Sequence, residues 1–214
     1  MSSQDLKNLD IISITDLAIE FETLKKSSNK ENLKVFNSHF ECVGTTTRLI
    51  CHRLGLYHEV TNCFIIDENN NLLLQIRKDK MAETYDLSVG GHINLNDKTP
   101  LDALIRESKE ELNFDLNKNN IQKIITYKRY GYTNILKPRD TNNEFRHLFC
   151  YKIDKNEKIK LENYFSERKN SEAESFVWVS IDNAIDLITQ GKAFDGLQYS
   201  IYYLLNWIRK NKKI

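Results

Sequence analysis

Two prolines and seven glycines in 214 residues leave little material for linkers, and no repeat or proline-rich stretch divides the chain. Such a length fits one domain with a small appendage. The four cysteines, Cys42, Cys51, Cys63 and Cys150, lack any C-x-x-C pair. That scatter argues against a zinc ribbon or disulfide framework and for buried thiols in a reducing compartment. No stretch approaches the ~20 apolar residues of a membrane span. The N-terminal MSSQDLKNLDIISITDL has no basic region followed by an apolar run, so a cytoplasmic protein is expected. A net charge of +1 argues against a nucleic-acid partner.

What is present is patterned. Ile14, Leu17, Phe21 and Leu24 recur at helical spacing behind Ser13 and Asp16, predicting a helix over 13–26. KKSSNKEN then breaks the pattern, so residues 1–30 are read as an N-terminal helical extension and 31–214 as the main domain. LKVF (33–36), VTNCFIID (60–67), LLLQIR (72–77), KIITYKRYGY (123–132), FRHLFCYKI (145–153) and ESFVWVS (174–180) read as strands. The second and third of these, joined by ENNN, are expected to pair as a hairpin. A helix is expected at about 182–190, started by Ser180 and stopped by Gly191. Another, at about 195–209, carries Leu197, Ile201, Leu204, Leu205 and Ile208 on one stripe. Strands mixed with helices imply an α/β fold with helices packed on a sheet.

The segment SVGGHINLNDKTPLDALIRESKEELNF (88–114) raises a physical problem. Thr99 and Pro100 predict a helix start, and Asn113 suits a left-handed stop. Leu101, Leu104, Ile105, Ser108 and Leu112 share one face, while Glu107, Glu110 and Glu111 share another. Like charges at these spacings repel by a few tenths of ~1 kcal/mol per pair. A solvated face balanced by Arg106 and Lys109 is one explanation. The other is a hard cation, with Gly90 and Gly91 supplying a tight turn or close approach beside the carboxylates.

These residues resemble the Nudix box, G-x5-E-x7-R-E-U-x-E-E-x-G-U, with U aliphatic. Gly91 matches the first glycine, and Arg106 through Phe114 resemble its REUxEExGU half. Ser108, Asn113 and Phe114 depart from it. Asp97 replaces the loop glutamate with one extra residue before Arg106, and Asn94 replaces the glutamate of GGxxE. HRLGLYHEV and LLLQIR upstream resemble the branch that includes isopentenyl-diphosphate isomerase. The resemblance covers about residues 35–190 and implies the Nudix fold, a mixed β-sheet sandwiched between helices (α/β/α).

The resemblance implies a hydrolase that cleaves a diphosphate linkage in a nucleoside diphosphate derivative or related organic pyrophosphate. Mg2+, or Mn2+, would be held by Glu107, Glu110 and Glu111. One of these or Glu144 would accept a water proton, and Arg77 and Lys78 would meet phosphate oxygens. Gly90, Gly91 and Arg106 take structural roles. An isomerase-like enzyme is the alternative, with partial echoes of its metal-binding residues in His58, His92 and Glu144. Its catalytic cysteine, however, aligns with Gly90. A silent nucleotide- or protein-binding module is the third reading. His52 and His58 read first as ordinary histidines, and Tyr127, Tyr130 and Tyr132 as packing, with stacking on a base as the sharper use. Phe176 and Trp178 read as core. Residues 130–145 form a candidate lid, and Tyr202, Tyr203 and Trp207 suit a homodimer surface.

Overall fold

The computed structural model describes residues 31–79, 82–131, 141–167 and 175–211. The helix expected over 13–26, and most of the lid segment including Tyr132, lie outside these residues.

A small antiparallel pair opens the described chain, β1 (Asn32–Phe36) with β2 (Cys42–Thr47). Helix α1 (Arg48–Leu54) follows, capped by Thr47 and closed by Gly55 at φ 62°. The main sheet contains β3 (His58–Ile66), β4 (Leu72–Asp79), β5 (Ala82–Asp86), β6 (Val89–His92), β7 (Ile121–Arg129), β8 (Glu144–Lys152) and β9 (Ser175–Val179). Its order is β5-β4-β3-β8-β7, with β6 added on β3 and β9 on β4. β3 and β8 run parallel and the other pairs antiparallel, so the sheet is mixed. Helices α2 (Pro100–Leu112), α3 (Lys155–Glu167), α4 (Ile181–Thr189) and α5 (Asp195–Asn211) complete it.

Both faces of β3 are buried, which is why CFII (63–66) reads as an unbroken apolar run. Cys63 and Ile65 join Leu104 and Leu112 of α2 and Leu161 of α3 in one core. Phe64 and Ile66 join Ala184 of α4 and Leu197, Ile201 and Leu204 of α5 in the other. Alternation along a strand thus feeds two helix layers, the expected three-layer α/β/α arrangement.

The hairpin expectation needs correction. The turn exists, with Asn70 at φ 61° and Asp67 accepting from the Asn69 and Asn71 amides. Yet β3 and β4 pair only at Ile66 and Leu72. Beyond that point the edge of β3 goes to β6, and β4 goes to β5 and β9. The strands part here. Five elements escaped the reading of strands and helices: α1, β2, β5, β6 and α3. Helix α3 buries Leu161 and half-buries Phe165 but leaves Ile159 exposed, a stripe too narrow to stand out.

Helices α4 and α5 match expectation, with Ser180 accepting from the Asn183 amide. Phe176 and Trp178 are half-buried against the α2 core rather than fully inside it. Tyr127 packs on Tyr203 at 4.5 Å and shares a hydrogen bond with Ser200. Tyr203 and Trp207 also pack on the α5 core, whereas Tyr202 is 66% exposed.

Candidate metal and hydrolytic site

Helix α2 is built as its sequence requires. Thr99 accepts from the Asp102 amide at 3.1 Å, and Asn113 ends the helix at φ 49°. The departures from the box are absorbed locally. Ser108 is buried and its hydroxyl donates to the Phe114 carbonyl, so the polar atom is satisfied. Phe114 packs edge-on against Tyr151. Asp97 accepts from the Asn94 amide at 2.9 Å and from Arg106 Nε and Nη2 at 3.2 and 2.8 Å. A side chain one methylene shorter than glutamate, placed one residue further from Arg106, still holds the loop to the helix.

Arg106 binds more than that loop. Its Nη1 donates to Glu107 at 2.8 Å and Glu110 at 3.0 Å, and its Nη2 also donates to the His92 carbonyl at 2.9 Å. It is therefore a tie between α2, the loop and β6, as expected for a structural residue.

Gly90 and Gly91 do not turn the chain, contrary to one half of the sequence expectation. They lie within β6, opposite Asn62 and Thr61 of β3. The close approach is real. A Cβ at Gly91 would fall 2.1–2.5 Å from the Glu107 carboxyl atoms, and one at Gly90 would fall 3.0 Å from Asn62 Oδ1. Because the obstacle at Gly91 is the free end of a side chain, Gly91→Ala should fold by moving Glu107 aside. We expect a melting temperature within a few degrees of wild type, checked by scanning calorimetry, and, if Glu107 holds a divalent cation, at least a tenfold loss of affinity for it in metal titration.

The three glutamates differ in setting. Burial pushes Glu107 up to about 7, opposed by Arg106. Burial, followed by repulsion from Glu107, pushes Glu111 up to about 8. Glu111 accepts from Gln75 Nε2 at 2.9 Å and from the Gly90 amide at 3.4 Å. The Glu110 side chain is 57% exposed and turned to Arg106. Glu144 begins β8, directly across from His58, and accepts from Arg146 Nε at 2.6 Å. Arg77 donates to Asp86 at 3.2 Å and lies 4.4 Å over the Phe194 ring. Lys78 lies beside it on β4, paired with Glu83 across the ladder to β5.

Three histidines from separate elements come together in the fold. His52, His58 and His92 bring one ligand atom each to within 4.8 Å of the others, which no other set of three His, Cys, Asp or Glu achieves among the described residues. His58 Nδ1 lies 2.9 Å from the Leu56 carbonyl, which can only accept, so Nδ1 carries the proton. Its Nε2 is then a bare lone pair, buried without a hydrogen bond and 3.9 Å from the Glu144 carboxylate. Two acceptors facing each other this way suit a cation between them. Burial lowers the proton affinity of all three rings, most strongly His92, keeping them neutral and able to ligate. His52 and His92 meet through their Nε2 atoms at 3.1 Å. The available signal was HRLGLYH, whose two histidines lie in the last turn of α1 and at the first residue of β3.

Known proteins resemble this chain over most of its length. An uncharacterized Nudix hydrolase of Clostridium acetobutylicum is 26% identical over 193 residues, spanning 83% of this chain and 88% of that protein. Isopentenyl-diphosphate Delta-isomerase 2 of Photorhabdus laumondii is 27% identical over 181 residues, spanning 79% and 93%. The crystal structure of DR0079 from Deinococcus radiodurans aligns with a TM-score of 0.57 at 18% identity, covering 80% of this chain and 97% of that one. That likeness concerns the fold. No helix of the described residues is long and apolar enough to cross a membrane. The NUDIX domain family matches residues 56–199, a span that holds β3 to β9, the acidic helix and the two glycines, and the chain belongs to that family.

Proposed function

We propose that the chain is a divalent-cation-dependent hydrolase that cleaves a diphosphate linkage in a nucleoside diphosphate derivative or related organic pyrophosphate. The observation that carries this reading is the pair of buried carboxylates, Glu107 and Glu111, packed against a strand that glycine keeps open. Two such groups repel when ionised, and their all-oxygen donors suit Mg2+ or Mn2+. Glu110, exposed and bonded to Arg106 on the same side of α2, would add a carboxylate from the solvent side. A dication held by these carboxylates would neutralise the diphosphate and acidify an attacking water. The chain's own residues do the rest. Arg106 and Asp97 hold the helix against β6, and Arg77, with Lys78 next to it in the chain, would meet phosphate oxygens. The water's proton goes to a carboxylate drawn from Glu107, Glu110, Glu111 and Glu144.

The named relatives, a Nudix hydrolase and an isomerase, support one scaffold with two chemistries. A second reading, an isomerase-like enzyme, is favoured by the histidine trio with Glu144, which fits a cation preferring nitrogen ligands. Against it stands Gly90. The space its side chain would take is closed by Asn62 Oδ1, so nothing there moves a proton on carbon.

The deciding experiment is a screen of nucleoside diphosphates, nucleotide sugars, dinucleotides and prenyl diphosphates with Mg2+ or Mn2+, scored for phosphate release. Release of phosphate, or of a nucleoside monophosphate together with the phosphorylated partner group, that stops with EDTA supports the hydrolase. Interconversion of five-carbon diphosphates without phosphate release supports the isomerase. Inertness on all of them, with tight nucleotide or protein binding, replaces both with a binding module.

A further inference from the structure

Gln75 is a buried polar residue with no place in the box. It sits on β4, which otherwise feeds the core with Leu72, Leu73 and Leu74, and it is 7% exposed. An isolated amide there would be destabilising unless bonded. Its Nε2 is fully used. One proton goes to the Ser88 carbonyl at 3.2 Å and the other to Glu111 Oε2 at 2.9 Å. The Gly90 amide also approaches Oε2, at 3.4 Å. Two donors from two different strands thus converge on one oxygen of one glutamate. Ser88 is itself fixed, its hydroxyl donating to the Leu73 carbonyl and accepting from the Ile65 amide. The amide plane of Gln75 is therefore set by strands rather than by solvent.

We propose that Gln75 is a positioning residue that orients Glu111 for cation binding. The inference rests on the hydrolase reading above, in which Glu111 holds the metal. A donor on Oε2 fixes the rotamer of a long side chain whose ordering otherwise carries an entropy penalty at the moment of binding. It also favours the charged form that a cation needs. Partners of this kind are worth about 10- to 100-fold in metal affinity. The strand supplying the donor lies 36 residues away in sequence, and the separation of β3 from β4 is what brings it to α2.

The test is a double-substitution cycle read by Mg2+ alone. Imidazole is a poor ligand for this ion, so the histidine trio stays silent. Mg2+ is titrated into metal-free protein and followed by amide NMR shifts at Gly90 and Glu111. Gln75→Met should raise the dissociation constant about tenfold in the wild-type background and less than twofold in a Glu111→Gln background. A purely structural role would lower thermal stability but leave the dissociation constant in place. Equal effects in both backgrounds, or none in the wild type, overturn the proposal. If Glu111→Gln itself leaves Mg2+ binding unchanged, the metal site fails and the positioning role falls with it. Should the methionine variant not fold, Gln75→Asn keeps the amide but withdraws it from Glu111, with the same readings expected.

Discussion

Exchanging Glu111 for glutamine is expected to lower turnover on order of 10²–10³-fold while the protein remains folded. The substitution keeps shape and hydrogen-bonding capacity but removes the charge that would meet the cation. In the metal-free protein the carboxyl is already held up at about 8 by burial, so a neutral amide is well tolerated there. Glu107→Gln should act similarly, since that group is pushed to about 7 against the open side of Gly91. Glu110→Gln should be milder, below tenfold, because its side chain is 57% exposed and bonded to Arg106. Steady-state rates with the best substrate of the screen, together with melting temperatures, decide the matter. Wild-type rates in Glu111→Gln would remove the hydrolytic site from α2.

Metal-free protein should lose about 2 kcal/mol of stability between pH 6.5 and 8.5, and Mg2+ should restore most of it. The sign follows from two opposing sets of groups. Glu107 and Glu111 release protons at about 7 and about 8 in the fold, against 4.5 when unfolded. The folded chain keeps those protons longer, so their contribution is complete below 4.5 and lost as pH rises through 7 and 8. His52, His58 and His92 are lowered from 6.5, so their contribution is present above 6.5 and lost as pH falls. About one unit above 6.5 the histidines are neutral in both states, and the carboxylates then set most of the slope, with the buried Cys51, Cys63 and Cys150 thiols, raised by burial, adding to it in the same direction near the upper end. A bound cation removes the repulsion by stabilising the ionised pair, and at about 100 times its dissociation constant it adds close to 3 kcal/mol. Urea unfolding at the two pH values, with EDTA and with excess Mg2+, measures both effects. A flat profile in EDTA, or a slope that survives Glu107→Gln/Glu111→Gln, would contradict this account.

Much of the site's machinery was legible in the chain before any coordinate. Thr99, Pro100 and Asn113 fix α2 through local backbone chemistry, and the spacing of 107, 110 and 111 sets their shared ridge. The two-faced burial of β3 was visible as an apolar run. What escaped were features made by distant partners. A glycine in a strand and a glycine in a turn look alike in sequence, and only the nearness of Glu107 explains Gly91. Helix α3 escaped because two apolar side chains suffice for its packing.

The sequence by itself determined the family motif, the helix that carries the carboxylates and the sorting of apolar side chains into two layers. Each depends on contacts a few residues long. Tertiary structure alone decided that His52 and His58 meet His92, that Gln75 reaches Glu111, and that β3 leaves β4 for β6. Strand partners are chosen by packing across the whole domain, and a period of two residues says which face is buried but never beside whom.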